Sequence, residues 1–294
     1  ARTDNPATPG VPLQKARRMS RSVAALRTEL RKRKLSTDGR KAELEERLLA
    51  ADEQELKRAK TVMNSVADEY LCPITQELPV DPVMAEDSKI YERWAINEWL
   101  GKQQRSPSTG VAMGTRLLQA TQVRNTIGKL VESGIIEGDK ATAWKAKLMD
   151  EAKVKGMRAK AEEGDADAMF LLGSSYREAC YGLQEDKQQA RAWFKRGAEL
   201  GHVRSMSMYG EYLLYGKGGE PVPTLGLIYV TRAAAAGSGV GASVLGKALA
   251  KGRYGLPSDR AQAKFWLSKV VNGEFKGKVS SDLMGKAKKV LEEI

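Results

Sequence analysis

Two glycine series run through the second half of this 294-residue chain on one shared period. Gly173, Gly210 and Gly246 stand 37 and 36 residues apart; Gly164, Gly201, Gly237 and Gly273 stand 37, 36 and 36 apart. A period of this length constrains the fold more than any composition figure. One unit is too short to bury an apolar face alone, so units must stack and share a core. The text around the glycines repeats as well: AMFLLGSSYREACYG aligns with SMSMYGEYLLYGKG and ASVLGKALAKGRYG, and ARAWFKRGAELGH with IYVTRAAAAGS and AKFWLSKVVNGE. The pattern predicts three helix-turn-helix units in an α-solenoid over 138–294. A helix near 139–163 precedes them and one near 280–292 closes them. Trp193, Phe194, Tyr229, Phe265 and Trp266 are expected to fill between the layers.

These units resemble Sel-like repeats, relatives of the tetratricopeptide class. The resemblance implies a protein-binding scaffold that recruits clients. Other signals in this half are weaker. Gly241-Ala-Ser-Val-Leu-Gly246-Lys247-Ala248 nearly spells a phosphate-binding loop, but Ala248 has no hydroxyl for magnesium and Gly246 is already explained by its phase with Gly210. His202 sits in the same repeat slot as Ser238, and Cys180 falls at a repeat turn, so neither reads as a catalytic group.

Residues 66–136 follow other rules. Pro73, Pro79 and Pro82 forbid a helix, while Val80, Val83 and Ile90 suit strands. From Glu92, the spacing of Ala95, Ile96, Trp99 and Leu100 predicts a short amphipathic helix; a polar turn, RSPSTG, and a helix from about Thr121 to Val131 follow. So small a fold needs a staple. The chain has two cysteines, Cys72 and Cys180, and one histidine, too few for a tetrahedral zinc site or a disulfide framework. Hydrogen bonds and ion pairs among Glu77, Asp81, Glu92, Arg93 and their neighbours must hold the loops.

This segment resembles the U-box family, a RING-like scaffold without zinc, through Leu71-Cys72-Pro73-Ile74-Thr75, Asp81-Pro82-Val83, Tyr91-Glu92-Arg93, Ile96, Trp99-Leu100, Ser106-Pro107 and Thr109. The resemblance implies a ubiquitin ligase that docks a ubiquitin-conjugating enzyme carrying ubiquitin and acts by positioning, with no nucleophile, metal or cofactor of its own. Pro73, Ile74, Gln76, Trp99 and Pro107 would form the docking groove; a core role competes with this for Trp99. Gly110 stands where many members carry an arginine, Thr121 where asparagine is common and Pro79 where methionine is frequent. Arg105 is a candidate substitute for the missing arginine. The competing class is a non-enzymatic scaffold or chromatin adaptor with a degenerate U-box.

The formal charge of +12 is uneven. Residues 1–60 hold 16 Lys/Arg against 9 Asp/Glu, 61–137 hold 7 against 10, and the rest 26 against 18. A basic front favours a polyanion, nucleic acid before membrane. Val23, Leu26 and Leu30 define one helical face and Leu44 and Leu48 another, separated by Leu35-Ser36-Thr37-Asp38-Gly39. Asp38 is placed to cap the second helix and Gly39 to take a positive φ. The hairpin resembles the SAP family, whose members commonly bind DNA; this chain has Lys34 where the family usually has glycine. Arg33, Lys34, Arg40 and Lys41 are the candidate DNA contacts, and a protein-binding hairpin is the alternative.

The reading is a mainly α, multidomain chain: a disordered basic tail at 1–19, a SAP-like module at 20–54, a small α+β U-box at 62–136 and an α-solenoid at 138–294. Its expected partners are a ubiquitin-conjugating enzyme, ubiquitin, protein clients and DNA. Nothing approaches the roughly 20 apolar residues of a membrane helix. Low cysteine usage fits a reducing compartment. RKRK and KARR suit nuclear import or phosphate contact equally, so nuclear, cytoplasmic and organelle locations all stay open.

Overall fold

The computed structural model describes residues 22–275 and 279–294; the tail expected at 1–19 lies outside the described residues. The chain divides into two compact units, one ending at Trp144 and one beginning at Lys145.

In the first unit, helix α1 (Val23–Lys32) starts where the Ser22 hydroxyl accepts the Ala25 amide, a conventional serine cap. Its Leu26 and Leu30 pack against Leu44 and Leu48 of helix α2 (Lys41–Asp68), and all four are buried. The turn after α1 closes through the Leu35 amide on the Leu30 carbonyl. Lys34 lies within this turn at φ +59°. That left-handed position is where helices usually place glycine, and a lysine there costs about 1 kcal/mol. Gly39 takes φ +117°, as expected. Asp38 does not cap α2, because the helix begins three residues later. The Glu43 carboxylate instead reaches back to the Arg40 amide, 3.0 Å away, as in a capping box. Lacking glycine or proline, α2 continues unbroken through 55–61, the interval between the expected SAP-like and U-box modules.

Strands β1 (Pro82–Met84) and β2 (Ile90–Glu92) form the expected hairpin, with Val83 opposite Tyr91. It leads directly into helix α3 (Arg93–Lys102). Strand β3 (Leu118–Gln119), not anticipated from its two residues, adds to β1 in the order β2-β1-β3. Helix α4 (Thr121–Glu132) follows. Cys72, Val83, Tyr91, Ile96, Leu100 and Met113 make the core. Helix α5 (Gly138–Glu162) contributes the buried Trp144, whose indole N–H donates to the Pro79 carbonyl at 3.1 Å.

In the second unit, Val154, Met157 and Ala161 of α5 pack beside Met169, Leu172 and Trp193. The repeats are α6 (Ala166–Glu178) with α7 (Lys187–Glu199), α8 (Val203–Tyr215) with α9 (Pro223–Ala235), and α10 (Gly239–Lys251) with α11 (Arg260–Val271); α12 (Ser281–Glu293) closes the array. Asp165, His202 and Ser238 cap the first helix of each pair. The periodic glycines are contact points. A Cβ on Gly173 would meet the Phe194 ring at 2.6 Å, one on Gly210 would meet Val230 at 2.7 Å and one on Gly246 would meet Leu267 at 2.7 Å. Contacts between repeats also rest on a missing Cβ: one on Gly197 would lie 2.5 Å from the Ser205 hydroxyl, and one on Gly241 would lie 2.9 Å from the Ala234 amide and 3.1 Å from the Ala233 Cβ.

The layer-filling set needs one correction. Trp193 and Phe194 are buried and Tyr229 and Trp266 half-buried, but Phe265 is 50% exposed. Leu267 fills the slot that Phe194 and Val230 occupy in earlier repeats. Phe265 lies two residues earlier, about 200° around the helix and so on its solvent side.

Candidate functional site

Polar contacts hold the two loops of the U-box-like segment. Glu92 is only 5% exposed, and its two carboxylate oxygens accept separate backbone amides, Val80 at 2.8 Å and Asp81 at 3.1 Å. Satisfying two buried donors with one anion fixes the first loop to the end of β2. Arg93 donates to the Asp81 carboxylate at 2.7 Å and also reaches Gln119, whose amide returns to Asp81 at 2.9 Å. Asp81, Glu92 and Arg93 thus act as expected, with Gln119 added. The Glu77 carbonyl accepts the Cys72 amide at 3.0 Å, closing the Cys-Pro-Ile turn.

A second staple was missed. Asp87 accepts hydroxyls from Tyr91, at 2.7 Å, and from Ser106, together with the Lys89 amide at 3.0 Å. The buried Ser106 hydroxyl accepts the Ser108 and Thr109 amides, and Ser108 shares a 2.9 Å bond with Tyr91. Burial alone would raise the Asp87 pKa, but the bonds from Ser106 and Tyr91 overcome it and leave the group below the ordinary aspartate value. The available signal was Ser-Pro-Ser-Thr at 106–109, a sequence suited to a serine that bonds amides two and three residues ahead.

The expected groove residues rest on this frame. Ile74 and Trp99 are half-buried against the same core cluster. The Trp99 indole N–H donates to the Arg105 carbonyl at 2.8 Å, so the ring supports the second loop while keeping an open edge. Pro107 is half-exposed in that loop. Gln76 is exposed at φ +57°, and its side-chain amide turns back onto the Pro73 carbonyl at 2.8 Å. Gly110 takes φ +71°, with open space where a Cβ would stand, and its amide closes the loop onto the Ser106 carbonyl.

In the helical hairpin the four candidate cations have different surroundings. Arg33 is drawn into an acidic cluster, contacting Asp52, with Glu29 at 3.5 Å and Glu55 at 3.8 Å. Lys41 lies 3.7 Å from Glu45. Lys34 and Arg40 are exposed beside the loop, as are Arg31 and Lys32. Two arginines outside the candidate set shape that loop: Arg47 donates to the Ser36 and Asp38 carbonyls at 2.8 and 2.9 Å, and Arg27 donates to Thr37 at 3.1 Å.

The discounted motifs have structural roles. All of 241–248 lies within α10, where the amides serve the helix and form no phosphate cradle. His202 caps α8, its Nδ1 accepting the Ser205 amide. Cys180 is half-buried after α6 and makes a long contact to the Glu178 carbonyl.

Against known proteins, the SAP domain family matches residues 18–53, the U-box domain family matches 66–133, and the Sel1 repeat family matches 166–202, 203–238 and 241–269. The chain is similar to WD repeat, SAM and U-box domain-containing protein 1 of Homo sapiens, at 36% identity over 76 residues, 26% of this chain and 16% of that protein. The Danio rerio protein of the same name is 48% identical over 58 residues, 19% of this chain and 12% of that one. The ERAD-associated E3 ubiquitin-protein ligase component HRD3A of Arabidopsis thaliana is 29% identical over 82 residues, 28% and 12% of the two chains. The matches therefore span no more than 16% of these relatives. Among solved structures, a Sel1 repeat protein from Oxalobacter formigenes is 30% identical and covers 48% of this chain and 98% of that one, with a TM-score of 0.39.

Proposed function

We propose that this chain, which carries a SAP module, a U-box and three Sel1 repeats in that order, is a ubiquitin ligase that docks a charged ubiquitin-conjugating enzyme and promotes transfer to clients held by its repeats. The observation that carries this reading is the pair of loops held by buried polar contacts. Glu92 and Asp87 hold them from within, while Ile74, Trp99 and Pro107 keep apolar surface at the rim. A small apolar rim around a half-buried tryptophan has the makeup of a protein-docking hot spot. No covalent intermediate forms on this chain: the ligase holds the thioester and the acceptor lysine within reach of each other.

The test is an in-vitro reaction with activating enzyme, a panel of conjugating enzymes and ubiquitin. Chains should form with at least one conjugating enzyme, and Ile74→Ala should reduce them about tenfold or more, as loss of a hot-spot side chain does. Absence of chains across the panel, or formation indifferent to Ile74→Ala, refutes the reading.

Gly110 supports a second reading. With no side chain where many U-boxes place arginine, the segment would be an interaction fold within a non-enzymatic adaptor, and conjugating enzymes would bind without being stimulated. For the front module we propose DNA contact through Lys34 and Arg40, with Lys41 contributing; Arg33 belongs to the acidic cluster on α2.

A further inference from the structure

The first helices of the three repeats, α6, α8 and α10, share a stripe that is exposed or half-buried in each. It passes through residues 167, 171, 174 and 178 in α6 and recurs in register at 204–215 and 240–251. Across the repeats its middle row is apolar: Leu171, Met208 and Val244. Its formal charges balance, Asp167, Glu178 and Glu211 against Arg204, Lys247 and Lys251, but its pairings do not, and Arg204 lies over the Phe170 ring at 3.9 Å. Asp167 meets the His202 ring at 3.2 Å, Glu178 pairs with Arg177 and Glu211 pairs with Lys217 at 2.7 Å; on the neighbouring α12, Asp282 holds Lys286 at 2.6 Å. Each of these carboxylates has a cationic or imidazole partner. Lys247 and Lys251 have no hydrogen bond or ion pair among the described residues.

Lys247 is half-buried, one helical turn from Val244 on the same face. Burial, reinforced by the nearby Lys286, draws its pKa below the ordinary lysine value. Glu211 and Asp282 act against this without touching Lys247, since each is held by another lysine. A partly desolvated ammonium with no carboxylate in contact is stabilised by a ligand that brings an anion. We propose that this stripe is the docking surface for an acidic, aliphatic segment of a partner protein, with apolar side chains on Leu171, Met208 and Val244 and carboxylates on Lys247 and Lys251. The proposal rests on the client-recruiting role of the repeats and gives that client a chemistry.

The experiment is fluorescence anisotropy of the full chain with short fluorescein-labelled peptides, one alternating leucine with glutamate and the other leucine with lysine. The glutamate peptide should bind and the lysine peptide should not. Lys247→Gln, which keeps most of the buried stem, and Lys251→Glu, at an exposed position, should each weaken binding about fivefold to tenfold without shifting the melting curve. Neutralising Arg31, Lys32, Lys34 and Arg40 together should leave the Kd unchanged. Equal binding of the two peptides, a Kd indifferent to both lysine changes, or loss of binding on neutralising the front cations overturns the proposal. The readout involves no ubiquitin. A chain that binds the peptide but builds no ubiquitin chains refutes the ligase reading alone, and an active chain blind to the peptide refutes this one alone.

Discussion

Glu92→Gln is nearly isosteric and removes little packing, so it isolates the polar staple. In the parent, Oε2 accepts the Val80 amide and Oε1 the Asp81 amide, each through a different oxygen of a side chain that is almost wholly buried. An amide side chain has one oxygen. One backbone donor keeps a weaker, neutral bond, and the other faces an NH₂ group that cannot accept. Losing one charge-assisted bond and stranding a buried donor costs about 2–3 kcal/mol. That is a large fraction of the 5–15 kcal/mol that stabilises a whole domain. It corresponds to a fall of roughly 30-fold to 150-fold in protection against opening. Hydrogen exchange of the full chain, read at the Val80–Asp81 segment, measures this directly, with the α8 amides of the second unit as an internal reference. Ubiquitin chain formation at 37 °C should fall in parallel. Parent-like exchange at that segment in the glutamine variant would refute the idea that a buried anion replaces metal as the staple.

Gly210→Ala should destabilise the solenoid by about 1–3 kcal/mol, since its Cβ would meet the Gly226 carbonyl and the Val230 amide, backbone that cannot swing aside. Gly285→Ala, in the open on α12, should stabilise by about 0.5–1 kcal/mol; thermal melts that shift both variants the same way would contradict this packing account. Asp87 has a lowered folded pKa, so its contribution is present above the unfolded value and is lost as pH falls through the folded one. Loop order should therefore fail in acid below about pH 4, and Asp87→Asn should remove that dependence, read by Trp99 fluorescence. In DNA titrations, neutralising Lys34 and Arg40 should each reduce the salt slope by about 1, whereas Arg33→Ala should loosen the α1–α2 hairpin and leave the slope unchanged.

The parts legible in the sequence are those governed by local spacing. The 36- to 37-residue period predicted the helix-turn-helix units of the solenoid because glycine and cap positions recur with it, as at Asp165, His202 and Ser238. Prolines and the run from Glu92 to Leu100 marked the hairpin and its helix for the same local reason. Side-chain partnerships across the fold were less visible. Asp87 finds Ser106 nineteen residues away only after the loops have come together, and Arg33 meets Asp52 only once the two helices have packed against each other. Aromatic bias led to Phe265, when the slot opposite Gly246 accepts any apolar side chain in the right phase and holds Leu267. Trp144 stands outside the segment that resembles the U-box family, and its bond to Pro79 follows from the path of α5.

The junctions between repeats fix their serial order. At the first, a glycine in the outgoing helix, Gly197, receives a side chain, Ser205; at the second the roles are exchanged, and Ala233 meets Gly241. Excising the middle repeat would set glycine against glycine and leave a hollow, whereas copying it in tandem would drive Ala233 into Ser205. An array cut this way resists the slippage and duplication by which tandem genes change length, and anyone extending it would have to recut both faces of the new joint.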